Sequence, residues 1–249
     1  MGLLKGLKDV VGFLTIIPTK PDKESLQNAA HYMFLFPVVG AFLGLLVGGI
    51  AYLSSKVLPE IIVGVITVFF ILILTGFHHV DGLLDFGDGL IFQGSCEEKI
   101  RIMRDSHVGV GGLILGLMVI LTTLLCISEL PQSLIVQCLV VSEVSAKFSM
   151  VILASFGRSA CKGSSTYFVE VMHGKHRFLR LMVATVITFT LGFLLLSLKF
   201  VYIILAFTVT SLLILAISNK QFGGITGDIF GATNEISRMV SLLAILVVI

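Results

Sequence analysis

The chain has 249 residues, 56% of them hydrophobic and only 13% charged, with a mean hydropathy of +1.06. Soluble domains carry about 25% charged residues, so a soluble globular fold is excluded. The net charge of +2 is too small to argue for nucleic acid as a partner, and Cys96, Cys126, Cys138 and Cys161 show no C-x-x-C spacing, so neither a zinc site nor a disulfide scaffold is expected.

The first segment, "MGLLKGLKDVVGFLTIIP", places Leu3, Leu4, Leu7, Val10, Val11 and Leu14 at i, i+3, i+4, i+7 spacing. Lys5 and Lys8 interrupt any continuous apolar core, which argues against a signal peptide. The pattern fits an amphipathic helix lying in the membrane interface and equally a helix packed on a bundle. A roughly 30 Å hydrocarbon core is crossed by about 20 apolar residues. Runs of that kind are predicted at 31–53, 58–77, 109–129, 134–156, 178–197, 199–217 and 232–249, the last carrying Glu235 and Arg238. Long polar loops fall at 78–108 and 157–177, and a shorter one at 218–231. The fold class is therefore all-α: a polytopic membrane bundle of about seven transmembrane helices with an N-terminal amphipathic helix, forming one domain. A homo-oligomer remains compatible with this reading.

Thirteen of the lysines and arginines fall on the side of the N-terminus and the three polar loops, against Lys56 and Lys199 on the other side. The positive-inside bias puts that side in the cytoplasm, so the expected location is the cell membrane with its working face inward. Glu143 and Lys147, four apart inside a span, read as a structural pair facing the bundle interior.

Immediately after the second apolar run comes "HHVDGLLDFGDG" (78–89), with three aspartates in eight residues. Asp81, Asp85 and Asp88 are spaced i, i+4, i+7, within an arc of about 60° on one helical face and about 10 Å from first to last. A central Asp85 shared by two hard divalent cations about 4 Å apart suits that spacing, and oxygen-only ligands favour magnesium or manganese over zinc. The interleaved Gly82, Gly87 and Gly89 would let a phosphate approach the backbone closely. The same carboxylates also fit an acidic cap at a helix start or the ion path of a coupled transporter. His78 and His79 precede them, placed to act as a general base or to hydrogen-bond a metal-bound carboxylate, or simply to sit as polar tips in the headgroup region.

Three further stretches carry chemistry. "RIMRDSHVGVGG" (101–112) brings Arg104 and Asp105 to the next span, either as a capped helix start or with Asp105 reaching the acidic site. "GRSACKGSS" (157–165) offers Arg158 and Lys162 among small residues, suited to phosphate contact but without Walker spacing; a positive-inside anchor is the other reading. "GGITGDIFGATNE" (223–235) carries Asp228, which could complete the acidic set.

Taken in order, "FLTIIPTK" (13–20), "HHVDGLLDFGDGL" (78–90), "IMRDSHVGVGG" (102–112), "GRSA" (157–160) and "GGITGDIFGATNE" (223–235) resemble the adenosylcobinamide-GDP ribazoletransferases, or cobalamin synthases. That family is similar in chemistry to the CDP-alcohol phosphotransferases, whose motif is D-x-x-D-G-x-x-A-R. The present spacing is D-x-x-x-D-x-x-D with no A-R pair, which disfavours phospholipid synthesis.

The resemblance implies Mg²⁺-dependent (or Mn²⁺-dependent) transfer of cobinamide-phosphate from adenosylcobinamide-GDP to α-ribazole or its 5′-phosphate, with GMP leaving. On that reading Asp81, Asp85, Asp88 and Asp228 are the metal ligands. Arg104, Arg158, Lys162, Gly82 and Gly89 contact substrate, and Asp85, His79 and Asp105 are catalytic. An ion-coupled transporter and a CDP-alcohol phosphotransferase remain as alternatives.

Overall fold

The computed structural model describes residues 2–249. Among the described residues the chain is helical throughout, with no strand and a single isolated bridge between Ser159 and Ile225. The first helix, α1 (Leu3–Leu14), buries Val10 and Leu14 while Leu3 and Leu4 stay exposed. It is docked on the bundle as well as amphipathic. Buried Asn28 of α2 (Ser25–His31) donates to Asp9 Oδ2 at 3.1 Å, and Lys5 pairs with Asp22 at 2.9 Å.

The centre of the bundle is α8 (Ile135–Phe156), buried along nearly its whole length and packed most closely against α3 (Phe36–Ser54). Small residues allow that approach, as is usual where helices meet without a hydrophobic driving force between them. A Cβ at Gly40 would lie 2.6 Å from the Glu143 carbonyl oxygen, and one at Gly44 2.5 Å from Val140 Cα. Any side chain there would force the two helices apart.

The second apolar run is interrupted. Helix α4 (Glu60–Leu74) ends at a break where Gly76 and Phe77 have φ of +63° and +61°, and α5 (His78–Ile91) leaves at 94° to it. Two successive left-handed residues stop the helix, and the glycine removes the steric cost of one of them. After α6 (Cys96–Met103), with a Ser95–Glu98 capping box, come α7 (Val110–Ser128), α8, the short α9 (Ser164–His173), α10 (Arg177–Leu196), α11 (Phe200–Gln221) and α12 (Gly227–Val248).

Five stretches are long and apolar enough to cross a membrane, or six if the bent pair α4–α5 counts as one. One of the five, the 45-residue stretch Arg177–Gln221, contains both α10 and α11, broken at Ser197 with φ of +51°. Near that break Lys199 Nζ lies 3.5 Å from the carbonyl oxygen of Ile249 after α12, whereas Gln221 at the far end of α11 accepts from Lys99 of α6 at 2.8 Å. The expected loops are more ordered than their polarity suggested, since 78–108 holds α5 and α6 and 157–177 holds α9.

Charge inside the bundle is paired. Fully buried Arg238 of α12 contacts Glu143 through Nε and Glu235 through Nη1; Lys147 Nζ reaches Glu143 at 3.3 Å and Asn234 Oδ1 at 2.7 Å. Two carboxylates balance two cations, the condition under which buried charge is tolerated. The Glu143–Lys147 pair expected from the sequence is thus one half of a larger network.

Candidate active site

Helix α5 crosses the N-terminal ends of α7 and α12, and the glycines set how close it lies. A Cβ at Gly87 would come within 2.7 Å of the Gly111 carbonyl oxygen, and one at Gly82 within 2.6 Å of the Asp228 carbonyl oxygen. Gly89 is covered by Met103 and Phe222, whose atoms would lie 2.7 and 2.8 Å from a Cβ there. Gly82, Gly87 and Gly89 are all buried. The close approach they permit is therefore to neighbouring protein rather than to a phosphate, because tertiary packing occupies the space that the sequence left open.

The aspartates divide into two groups. Asp88 is buried, and both its oxygens are in use: Oδ2 accepts from Gly109 N–H at 2.7 Å and Oδ1 from Gly112 N–H at 2.8 Å. It closes the N-terminus of α7, where the helix dipole and free N–H groups favour an anion. Asp81 is exposed and Asp85 half-buried. Asp85 lies within electrostatic range of Asp81, Asp88 and Asp228. Asp228, in the first turn of α12, accepts from Thr226 Oγ1 at 3.2 Å and lies within electrostatic range of Asp81 and Arg104. The structure thus sets the first acidic stretch beside Asp228, some 140 residues later in the chain. Among the described residues, no three His, Cys, Asp or Glu side chains close on a single ion-sized position. The carboxylates form an open ring.

The cationic stretches border this ring. The Arg158 guanidinium donates through Nε to the Gly223 carbonyl at 2.8 Å, while backbone Ile225 N–H donates to the Arg158 carbonyl at 2.7 Å and Ala160 N–H to the Ile225 carbonyl at 3.0 Å. "GRSA" and "GGITG" are joined backbone to backbone. Gly224, with φ of +154°, makes that possible, since a Cβ would strike the Arg158 carbonyl oxygen at 2.5 Å. Arg104 Nη2 lies 3.1 Å from Cys161 Sγ, linking the loop before α7 to the loop before α9, and Lys162 is exposed. Asp105 is exposed and bound to its own loop: it accepts from His107 N–H at 3.0 Å and contacts His107 Nδ1 at 2.7 Å, and it lines a second cavity together with Asp88. The His107 hydrogen bond holds the Asp105 carboxyl below its usual range. His78 is exposed, whereas His79 is buried and its Nδ1 has no hydrogen-bond partner.

Two parts of this arrangement were not expected from the sequence. The partners of Asp88 are backbone groups, for which glycines at a helix start were the only visible sign. Arg238 appeared only as a weakness in the last span, and Glu235 beyond that only as the residue seven after Asp228, on one helical face with it.

The family model described as cobalamin-5-phosphate synthase matches residues 6–246. The chain is 33% identical to the adenosylcobinamide-GDP ribazoletransferase of Methanocella arvoryzae, covering 96% of this chain and 94% of that protein. It is 34% identical to the protein of the same name from Caldanaerobacter subterraneus subsp. tengcongensis, covering 96% and 97%, and 31% identical to that of Methanosarcina barkeri, covering 99% and 93%. No solved structure matches the chain. Matched over nearly its full length, and carrying the acidic stretch and the C-terminal glycine-rich motif in order, the chain belongs to the cobalamin-5-phosphate synthase family.

Proposed function

We propose that this protein joins adenosylcobinamide-GDP to α-ribazole, or to α-ribazole 5′-phosphate, at the cytoplasmic face of the cell membrane. A ribose hydroxyl of the acceptor attacks the phosphorus that carries the cobinamide. The bridging P–O bond of the pyrophosphate breaks, the cobinamide phosphate becomes a diester, and GMP leaves with the bridging oxygen. The proton from the hydroxyl goes to a nearby base, for which His79 and Asp85 are the candidates; Asp105, held by His107 in its own loop, is the less suitable one.

The observation that carries this reading is the juxtaposition of Asp81 and Asp85 with Asp228 at the N-terminal end of α12, with Arg104 in electrostatic range of Asp228. Phosphoryl transfer asks for positioning and charge neutralisation more than for covalent chemistry. Arg104, Arg158 and Lys162 supply cations for the phosphates, and the N-terminal end of α12 favours anionic groups, that of α7 being closed by Asp88.

The donor set fits magnesium or manganese. It consists of carboxylate oxygens, and the mutual repulsion of Asp81, Asp85 and Asp228 is incompletely balanced by Arg104. Asp81, Asp85 and Asp228 are the residues that would contribute oxygens to the ion or ions, with water and substrate supplying the rest because, among the described residues, no three side chains close on one position. Asp88 has both oxygens committed to α7 and acts chiefly to fix the position of α5. When bound, the metal would neutralise the pyrophosphate and the departing GMP.

Supplying purified protein with Mg²⁺ and either adenosylcobinamide-GDP plus α-ribazole or a CDP-alcohol plus a lipid alcohol tests the assignment. GMP release from the first pair is expected. CMP release from the second would reassign the protein to phospholipid synthesis, an activity that its D-x-x-x-D-x-x-D spacing disfavours.

A further inference from the structure

Beside the acidic ring lies a cavity of about 390 Å³, bounded by α1, α5, α8, α9 and α12. Its walls differ in character. One is aromatic and apolar, formed by Phe13, Met150, Phe168 and Phe230, with the Phe13 and Phe168 ring centroids 4.7 Å apart and those of Phe168 and Phe230 6.2 Å apart. The other is polar and contains His79, Asp81 and Asp228, with Ser164 also lining the cavity. Whatever fills this space meets rings on one side and the proposed site of phosphoryl transfer on the other.

His79 adds an independent observation. It is 7% exposed, its Nδ1 has no hydrogen-bond partner, and Lys147, Arg238 and His78 are the charged or titratable groups within electrostatic range of it. Buried polar atoms are nearly always satisfied, so the unpartnered Nδ1 marks His79 as a lining residue whose polar partner the described residues do not supply. The volume limits any occupant. It lies toward the small end of the roughly 300–1,000 Å³ typical of small-molecule sites, and takes a two-ring base with one sugar but not a corrin.

We propose that this cavity seats the acceptor nucleoside, its flat base against Phe13, Phe168 and Phe230 and its ribose toward His79, Asp81 and Asp228. The inference rests on the ribazole-transfer reading and deepens it. Selection of the acceptor is assigned to the aromatic wall, and the large corrinoid donor approaches from the open side of the acidic ring. Aromatic packing prefers offset or edge-on contacts at ring separations of about 4.5–7 Å, a range that Phe168 already occupies with Phe13 and with Phe230.

The test measures binding of each substrate separately. The chain contains no tryptophan, so the fluorescence of α-ribazole, a benzimidazole nucleoside, reports acceptor binding to the full-length protein in detergent. Donor binding is followed by corrinoid absorbance retained on the protein. Two variants at exposed or half-buried positions are used, Phe13→Leu to remove a ring and Ser164→Phe to fill the cavity mouth. The acceptor Kd should rise on the order of tenfold for Phe13→Leu and also rise for Ser164→Phe, with the donor Kd unchanged in both; the unchanged donor Kd serves as the folding control. An acceptor Kd unchanged in both variants overturns the proposal, as does a parallel rise for both substrates. Failure of the wild-type protein to bind or join either substrate would instead overturn the ribazole-transfer reading on which the proposal rests.

Discussion

Replacing Asp88 by asparagine should damage the protein in a different way from replacing Asp85, although the two differ only by three positions on the same helical face. Asp88 gives one carboxylate oxygen to Gly109 N–H and the other to Gly112 N–H, at 2.7 and 2.8 Å. Hydrogen bonds to a charged group contribute about 1.5–3 kcal/mol each, and a buried donor left unpaired costs about 1–3 kcal/mol. Asparagine keeps one acceptor and turns an NH₂ toward the other N–H, so one bond is lost and one buried donor is orphaned. The expected destabilisation is about 3–5 kcal/mol. In a chain of this size that lowers the unfolding temperature by on the order of 10 °C.

Asp85 makes no hydrogen bond among the described residues and is surrounded by other carboxylates. Asp85→Asn removes repulsion, so the unfolding temperature should hold or rise while turnover falls at least ~10²-fold, on the scale of losing one strong electrostatic stabiliser. Buried Cys126 and Cys138 provide the assay, because a thiol-reactive dye reaches them only as the bundle opens. Equal unfolding temperatures for Asp88→Asn and wild type would refute the role given to Asp88.

Other consequences can be checked alongside. Gly82→Ala should separate α5 from α12, because its Cβ would lie 2.6 Å from the Asp228 carbonyl oxygen; GMP release should fall at least ~10-fold, since shifts of an ångström at a reacting site cost that much or more. Glu143→Gln leaves Arg238 and Lys147 sharing a single carboxylate, and a broken buried pair costs about 3–5 kcal/mol, to be read as lost monodisperse protein on size-exclusion chromatography. Excess EDTA should abolish turnover and added Mg²⁺ or Mn²⁺ restore it; full turnover in EDTA would remove the metal from the account. A cysteine introduced in the 157–177 loop should react with an impermeant reagent only in inverted vesicles, and labelling of intact cells would reverse the orientation.

Several of these features were legible in the sequence because they are local. The i, i+4, i+7 spacing of Asp81, Asp85 and Asp88 specifies one face of a helix without reference to any other part of the chain, and that helix is α5. The apolar runs likewise announced the bundle. What was hidden depends on contacts between distant segments. Gly82 and Gly89 were read as room for a phosphate, but room at a glycine is claimed by whichever neighbour packs there, here Asp228, Met103 and Phe222. Arg238 and Glu235 weakened the hydropathy of the last span, and only the packing of α12 on α8 brings them to Glu143 and Lys147. The break at Gly76 and Phe77 has one visible sign, the glycine, set in a run whose composition otherwise reads as continuous helix.

The central claim is transfer of cobinamide-phosphate to a ribazole hydroxyl with GMP as the leaving group. The most direct test is a single stoichiometric measurement on purified protein in liposomes containing Mg²⁺, adenosylcobinamide-GDP and α-ribazole, with nucleotide products and the joined corrinoid quantified together over time. One GMP should appear for each α-ribazole incorporated, and neither should appear when the acceptor is omitted. Release of GDP in place of GMP, or loss of α-ribazole without a matching nucleotide, would contradict it.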